Sequence, residues 1–303
     1  MQILRPARQV APRLLMAYAA FFATLTSFRL LLLPAIQHLF HTGDATTSFV
    51  RRTGLFCFFL LGYWVYVRTV EKRRVDELRP RPLGMAVGGL AGAGAIALPM
   101  TVLYAGGAYA MTAWRGPDPG LAGVACVIVI AALMEELVFR GILFRLLETG
   151  WGTVPAMWLS SIVFALTHID NLDGHASPWA VATTLLSCTL LGAIWCLMFV
   201  HTRNLWVSTA NHAAWNYTIL LSGLPLSGIE DWRKMAPLAS AYNGPDWLTG
   251  GAFGPEDSVL TLVLVVVALV VLHRRARAKN LLVRAPLPYA NVSTEPSAGE
   301  DHA

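Results

Sequence analysis

Three charged residues, Glu135, Glu136 and Arg140, interrupt one of the most hydrophobic parts of the sequence. They follow an apolar run from Leu121 to Leu133, so they lie in a segment that is expected to cross a membrane as a helix. Each charge near the centre of a bilayer costs roughly 2.5–3.5 kcal/mol, and such residues usually have a function. On a helix, Glu136 and Arg140 share a face and can neutralise each other, whereas Glu135 points about 100° away from Glu136. The spacing therefore predicts a structural ion pair and one free carboxylate suited to acid–base catalysis.

Two of the eight histidines, His168 and His212, fall within predicted spans. His168 follows Phe164 by four residues and Asn216 follows His212 by four, so each pair shares one face of its helix. Polar side chains at membrane depth must find partners or water. Two histidines, an asparagine and an unpaired glutamate on three different spans therefore predict an intramembrane site.

Two chemistries fit this set of residues. In the first, Glu135 and His168 activate a water molecule, while His212 and Asn216 donate hydrogen bonds to the developing oxyanion. In the second, Glu135, His168 and His212 bind a divalent metal ion, with zinc the natural candidate, and the metal activates the water. The spacing leaves both open. We favour the first, with no cofactor required, because His212 and Asn216 share a face and asparagine is a poor zinc ligand.

The composition indicates an integral membrane protein. Hydrophobic residues make up 55% of the 303 residues, charged residues only 14%, and the mean hydropathy is +0.54, whereas soluble domains carry about 25% charged residues. The net charge of +5 comes from short basic clusters beside hydrophobic runs, which is typical of membrane topology signals and not of nucleic-acid binding. The expected partners are therefore the lipid bilayer and a protein or peptide substrate.

The hydrophobic runs predict an all-α, polytopic bundle of about eight transmembrane helices. We expect N-terminal spans within residues 1–120, a catalytic core at 121–222, an extracytoplasmic loop at 223–257, a last span with a basic end at 258–285, and a disordered tail at 286–303. Gly84, Gly88 and Gly92 recur every four residues and predict a smooth face for close helix packing. The predicted spans are 14–36, 54–70, 83–109, the charged helix from 121 to the glycines at 150 and 152, 154–168, 179–200, 205–221 and 259–272.

The lysines and arginines predict the orientation. Most lie in segments that would be cytoplasmic if the N-terminus is inside, so both termini are expected in the cytoplasm, with the protein in the plasma (inner) membrane. This arrangement sets Glu135 towards the cytoplasmic half of its helix and His168 near the outer end of a short span. A shared site therefore requires the fifth helix to be offset or tilted, or the span limits to differ by several residues.

The three motifs together resemble those of a known family. Glu135-Glu-x-x-x-Arg140, Phe164-x-x-x-His168 and His212-x-x-x-Asn216, in this order, are similar to the motifs of the CAAX-protease and bacteriocin-processing family. This is the Abi, or type II CAAX prenyl endopeptidase, family of intramembrane proteases. The resemblance covers roughly residues 121–222 and implies an all-helical membrane protein that hydrolyses peptide bonds with a glutamate-activated water.

The resemblance also implies roles for individual residues. Glu135 matches the catalytic glutamate, His168 matches its partner, and His212 and Asn216 match the oxyanion pair. Glu136 and Arg140 match the remaining motif positions. The leading hypothesis is therefore an intramembrane glutamic-type endopeptidase. There are two alternatives, a polytopic transporter and a non-catalytic immunity or scaffold protein. Either one would use the same buried polar residues. CAAX prenyl proteins, pro-bacteriocins, signalling peptides and C-terminal sorting tails all fit as substrates.

Overall fold

The computed structural model describes residues 4–172, 174 and 176–285, so the predicted tail at 286–303 lies outside the described residues. Helices make up 76% of the structure, and this confirms the all-α, polytopic class. The α-helices are α1 Leu4–Ser27, α2 Leu33–Phe40, α3 Asp44–Tyr66, α4 Pro82–Ala105, α5 Leu121–Glu135, α6 Arg145–Trp151, α7 Thr153–Leu166, α8 Pro178–Thr202, α9 Leu205–Ser222, α10 Asp246–Thr249 and α11 Val259–Ala278. π-Helices Phe28–Leu32, Val67–Glu71 and Glu136–Phe144 extend or join these segments.

Six helical segments within the described residues are long and apolar enough to cross a membrane. They are Val10–Phe40, Asp44–Glu71, Pro82–Ala105, Leu121–Trp151, Pro178–Thr202 and Val259–Ala278. The chain is thus an integral membrane protein. The count of eight stays a prediction, since α7, with 14 residues, and α9 are not among the six.

Several predicted span limits differ from the structure. The third span was expected to reach Tyr109, but α4 ends at Ala105 and Gly107 takes a left-handed conformation with φ +76°. Tyr109 instead begins strand β1, Tyr109–Trp114, which pairs antiparallel with β2, Leu238–Tyr242. The predicted loop at 223–257 therefore contains regular structure. Its strand β2 forms backbone hydrogen bonds with β1, so the polar groups of both connecting segments have partners.

The glycine face of α4 packs directly against α9. A Cβ atom on Gly88 would lie 2.7 Å from the carbonyl oxygen of Val207, and one on Gly92 would overlap the backbone carbonyl of Asn211. The Asn211 side chain donates a hydrogen bond to the Gly88 carbonyl oxygen at 2.9 Å. Small residues let two membrane helices approach this closely, and this contact fixes the position of the helix that carries His212.

The charged helix changes its winding at the glutamates. An uninterrupted α-helix was expected, but α5 ends at Glu135, and residues Glu136–Phe144 form a π-helix before α6. Inside this π-helix, Gly141 leaves room for the ring of Tyr63, since a Cβ there would lie 2.9 Å from Tyr63 Cε2. π-Helical segments are frequent at functional sites, and this one carries Glu136 and Arg140 through the centre of the bundle.

A network of charges holds the far end of this helix. Arg145 lies 3.2 Å from Glu71 and 3.4 Å from Glu77, both on the segment that follows α3. Arg73 pairs with the same two glutamates. The basic segment after α3 therefore also contributes the carboxylates that hold the start of α6 in place.

Candidate active site

Glu136 and Arg140 form the ion pair that their four-residue spacing predicts. Arg140 Nη1 lies 3.0 Å from Glu136 Oε1, and the two side chains are 1% and 0% exposed. The N–H of Nη1 does not point along this line, so the contact is an ion pair without an aligned hydrogen bond. Arg140 Nη2 donates to the Gly192 carbonyl oxygen at 3.0 Å, and the guanidinium lies over the rings of Phe164 and Trp195. The pair is enclosed on all these sides and has the character of a structural element.

Glu135 has a different environment from its neighbour. Its side chain is 31% exposed, and its Oε2 lies 3.6 Å from His212 Nε2, longer than a hydrogen bond. The other ring nitrogen, Nδ1, lies 3.3 Å from Glu136 Oε1. His212 therefore lies between the two adjacent glutamates, an arrangement that their spacing along the sequence does not reveal.

The imidazole of His212 is held by two residues that the sequence reading missed. Its ring stacks on Trp195 with centroids 3.7 Å apart and an interplanar angle of 19°. Trp195 Nε1 donates to Asn211 Oδ1 at 3.0 Å, and Asn211 in turn donates to Gly88. Asn211 could have been found from the sequence, because it is an amide at membrane depth beside a site histidine. Nothing in the sequence distinguishes Trp195 from other membrane tryptophans.

His168 lies just beyond its helix, and not at its end as expected. α7 ends at Leu166, and His168 precedes the short 3₁₀-helix Ile169–Asn171. His168 Nδ1 lies 3.0 Å from the Phe164 carbonyl oxygen, so this nitrogen carries a proton that it donates to that oxygen. Within the described chain no ion pair joins His168 to Glu135. The partnership implied for these two residues is therefore not a direct contact.

Phe164 brings the two histidines to one level of the bundle. Its ring lies 4.4 Å from the His168 ring and 6.3 Å from the His212 ring, centroid to centroid. Phe139, from the π-helix, meets the same ring edge-on at 5.1 Å. The predicted span limits placed His168 at a different depth from the rest of the site. In the structure both imidazoles border the Phe164 ring, so the two histidines lie at a similar depth.

Asn216 lies one turn beyond His212 on α9 and is half-buried. Its Oδ1 is buried and has no hydrogen-bond partner among the described residues. Its Nδ2 donates no hydrogen bond within the same part of the chain, so neither end of this amide has a partner there.

These motifs, now placed around one aromatic cluster, agree with the comparison to known families. Residues 117–218 match the family described as type II CAAX prenyl endopeptidase Rce1-like. The match confirms the resemblance drawn from the three motifs, and it covers the stretch that carries Glu135, His168, His212 and Asn216. No curated protein matches the chain.

Two acidic residues outside the Rce1-like stretch are also buried beside it. Glu256 accepts hydrogen bonds from Trp215 Nε1 at 3.2 Å and from Ser227 Oγ at 2.6 Å. Burial raises the pKa of Glu256, and the hydrogen bond from Ser227 opposes that rise. Glu256 lies in the predicted loop at 223–257, and an acidic residue just before a membrane helix is an ordinary feature, so the sequence does not mark it as part of a site.

Asp257 is held in a similar way by α8. It accepts hydrogen bonds from the hydroxyls of Thr184, at 2.7 Å, and Ser187. Burial raises the pKa of Asp257 to about 7, against an ordinary value of 3.8. Glu256 is bonded to α9 and Asp257 to α8, so the two acids tie the segment before α11 to two helices of the Rce1-like stretch.

The residues named as possible metal ligands do not form a common coordination sphere in this arrangement. Among the described residues, no group of three or more His, Cys, Asp and Glu side chains is placed to hold a metal ion. Both nitrogens of His212 face carboxylates, and Nδ1 of His168 faces a carbonyl oxygen. A shared metal would require at least one of these side chains to turn.

Proposed function

We propose that this protein is an intramembrane endopeptidase that hydrolyses a peptide bond in a membrane-associated protein or peptide. The observation that carries the proposal is the contrast between two adjacent glutamates in an Rce1-like stretch. Glu136 is completely buried and paired with Arg140, whereas Glu135 is partly exposed and lies beside His212. A carboxylate that is reachable and lacks an arginine partner can take a proton from water.

In the proposed reaction, Glu135 removes a proton from a water molecule, and the oxygen of that water attacks the carbonyl carbon of the scissile peptide bond. The oxyanion that forms accepts hydrogen bonds from His212 Nε2 and Asn216 Nδ2. Glu135 then gives the proton to the departing amine as the C–N bond breaks. The Nδ2 group of Asn216 supports this role, because it donates no hydrogen bond to another group within the described chain.

Glu136 has a supporting role in this scheme. Its Oε1 faces His212 Nδ1 at 3.3 Å, so Nδ1 carries a proton that it donates to Glu136. Nε2 can then also donate only if the ring is an imidazolium with both nitrogens protonated. In that form the ring would also attract the developing oxyanion through its positive charge.

We propose that His168 acts on the attacking water, not on Glu135 itself. The carbonyl oxygen of Phe164 holds Nδ1, and in the neutral imidazole Nε2 would then accept a hydrogen bond from the water. A single water molecule bridging His168 and Glu135 would connect two groups that lie too far apart for direct contact.

We propose that no metal ion is required, with zinc as the alternative. Elemental analysis of protein purified without chelator, followed by activity measurements before and after chelation, tests this. The expected result is cleavage by protein that contains less than stoichiometric zinc. Stoichiometric zinc, with activity lost to a chelator and restored by zinc, would show that the metal mechanism is correct.

The family description makes a prenylated C-terminal CAAX sequence the first substrate to test. The experiment is incubation of the reconstituted protein with a prenylated CAAX peptide and with unprenylated and unrelated membrane peptides, in water enriched in ¹⁸O. Mass spectrometry should find a cleaved peptide with ¹⁸O in its new carboxylate. Glu135→Gln should abolish the product, whereas Glu230→Gln, in an exposed loop, should not. Cleavage by Glu135→Gln at the wild-type rate would exclude Glu135 as the base.

The same preparation separates the competing hypotheses. A transporter would move a solute across the vesicle membrane and leave every peptide intact, whereas an inert scaffold would neither move a solute nor cleave a peptide.

We further propose that both termini are cytoplasmic and that the protein lies in the plasma membrane, from the distribution of basic residues.

A further inference from the structure

A lateral groove of about 650 Å³ lies between the first halves of α3 and α5. None of the residues that line it belongs to the candidate active site, and most are apolar. Those that matter here are Phe49, Arg52, Phe56, Gly123, Cys126 and Val129. The groove contains one positive charge, and none of its lining residues is a carboxylate.

That charge is the guanidinium of Arg52, which lies flat against the backbone of Gly123. A Cβ atom on Gly123 would lie 2.5 Å from Arg52 Nη1 and 3.0 Å from Nη2. Within the described residues, Arg52 makes no hydrogen bond or ion pair, although its side chain is half-buried. An arginine in a membrane span is costly unless an anion or water compensates it.

The groove is polar at one end and apolar at the other. α3 and α5 begin on the same side of the membrane, because a single complete span, α4, separates them in the chain. Helical side chains point back towards the start of their helix, so Arg52 reaches the first turn of α5, where Gly123 lies. Phe56 and Val129 lie deeper along the two helices. This places the charge towards the membrane surface and the apolar walls towards the hydrocarbon core.

We propose that this groove binds an anionic glycerophospholipid, with its phosphate on the guanidinium of Arg52 and one acyl chain beside Phe56 and Val129. Guanidinium groups bind phosphate oxygens through two parallel hydrogen bonds. Gly123 lets the guanidinium lie within the groove, where a larger residue would displace it. No carboxylate among the lining residues would pair with a choline group, so the groove favours an anionic over a zwitterionic lipid, and the neighbouring Arg51 is exposed and does not line it.

Native mass spectrometry of the full chain tests this directly. Wild type is titrated with phosphatidylglycerol and, separately, with phosphatidylcholine, beside the variants Arg52→Gln and Arg51→Gln. Wild type should retain one phosphatidylglycerol in preference to phosphatidylcholine. Arg52→Gln should bind it about tenfold more weakly or worse, as expected for loss of charge-assisted hydrogen bonds, and Arg51→Gln should remain near wild type. Unchanged retention by Arg52→Gln, equal losses in both variants, or equal retention of the two lipids would overturn the proposal.

The natural cysteines give a second measurement that needs no substitution. Cys126 lines the groove, whereas Cys57 is exposed on α3 outside it, and Cys188 and Cys196 are buried. Phosphatidylglycerol added to wild type in detergent should slow the reaction of Cys126 with N-ethylmaleimide and leave the rate at Cys57 unchanged. Equal rates at Cys126 with and without the lipid would contradict occupation of the groove, even if Arg52→Gln fails to fold.

Discussion

The imidazole of His212 stacks face to face on the indole of Trp195, with ring centroids 3.7 Å apart. Trp195 is 2% exposed and is itself fixed by its hydrogen bond to Asn211. The orientation of a proposed catalytic side chain thus depends on a residue from a different helix, α8, that belongs to none of the three motifs.

This stacking predicts a graded response at position 195. Trp195→Phe keeps an aromatic surface for His212, whereas Trp195→Leu removes it and lets the imidazole move. Displacing a catalytic group by about 1 Å can lower the rate by about 10², so Trp195→Leu should lower kcat by about that factor with little change in KM. Steady-state cleavage assays measure both. Trp158→Leu, on α7 and 36% exposed, is the control, and an equal loss there would assign the effect to general packing.

The buried pair Glu136–Arg140 predicts a loss of stability on removal of the arginine. Arg140→Ala would leave the Glu136 carboxylate buried without its cation, which typically lowers the free energy of unfolding by about 3–5 kcal/mol. Arg79→Ala breaks an exposed pair with Asp76 and should have an effect below about 1 kcal/mol. Denaturation of the purified variants in detergent provides the comparison. If Arg140→Ala is as stable as wild type, the pair is not a structural element.

His212 and Asn216 are predicted to act as a unit on the oxyanion. Each single alanine variant should lower the chemical step by roughly 10²–10³ and leave substrate binding nearly unchanged, because the oxyanion exists only in the transition state. The double variant should lose less than the two single losses combined. Single-turnover cleavage measures the rates, and His201→Ala, whose ring contacts the Leu272 carbonyl outside the site, is the control. A weaker substrate affinity with an unchanged cleavage rate in Asn216→Ala would show that Asn216 only binds or packs.

The raised pKa of Asp257 predicts how stability depends on pH. Between its ordinary value of 3.8 and about 7, the folded protein keeps a proton that the unfolded chain releases. This group's contribution to stability therefore falls as pH rises through that window, by about 1.4 kcal/mol for each unit of pKa difference. Asp257→Asn cannot lose a proton, so it should be more stable than wild type at pH 7.5 and close to wild type at pH 4.

Thermal denaturation in detergent at these two pH values measures the effect. Asp231→Asn, at a highly exposed position in the same loop, should follow the wild-type dependence. A wild-type pH dependence that persists unchanged in Asp257→Asn would show that other groups, such as Glu256, dominate this window.

The sequence by itself determined those features that depend on spacing within one helix. Four-residue intervals place Glu136 beside Arg140 and align Gly84, Gly88 and Gly92, because side chains three or four positions apart share a helix face in any surroundings. Hydrophobic composition likewise determined the membrane class. The long apolar runs then indicated helices, since only helices and closed barrels can cross a bilayer. The three ordered motifs were enough to indicate the family.

Only the tertiary structure decided which faces meet. The contact between Glu135 and His212 joins α5 to α9. The position of α9 depends on its close approach to α4 at Gly88 and Gly92, which no spacing within one helix encodes. α7 ends at Leu166, so His168 lies outside its helix, and among the described residues no ion pair joins it to Glu135. Packing between separate helices also brought Trp195 to His212. The sequence did not reveal this contact, because contacts between helices depend on shape and depth and not on helical periodicity.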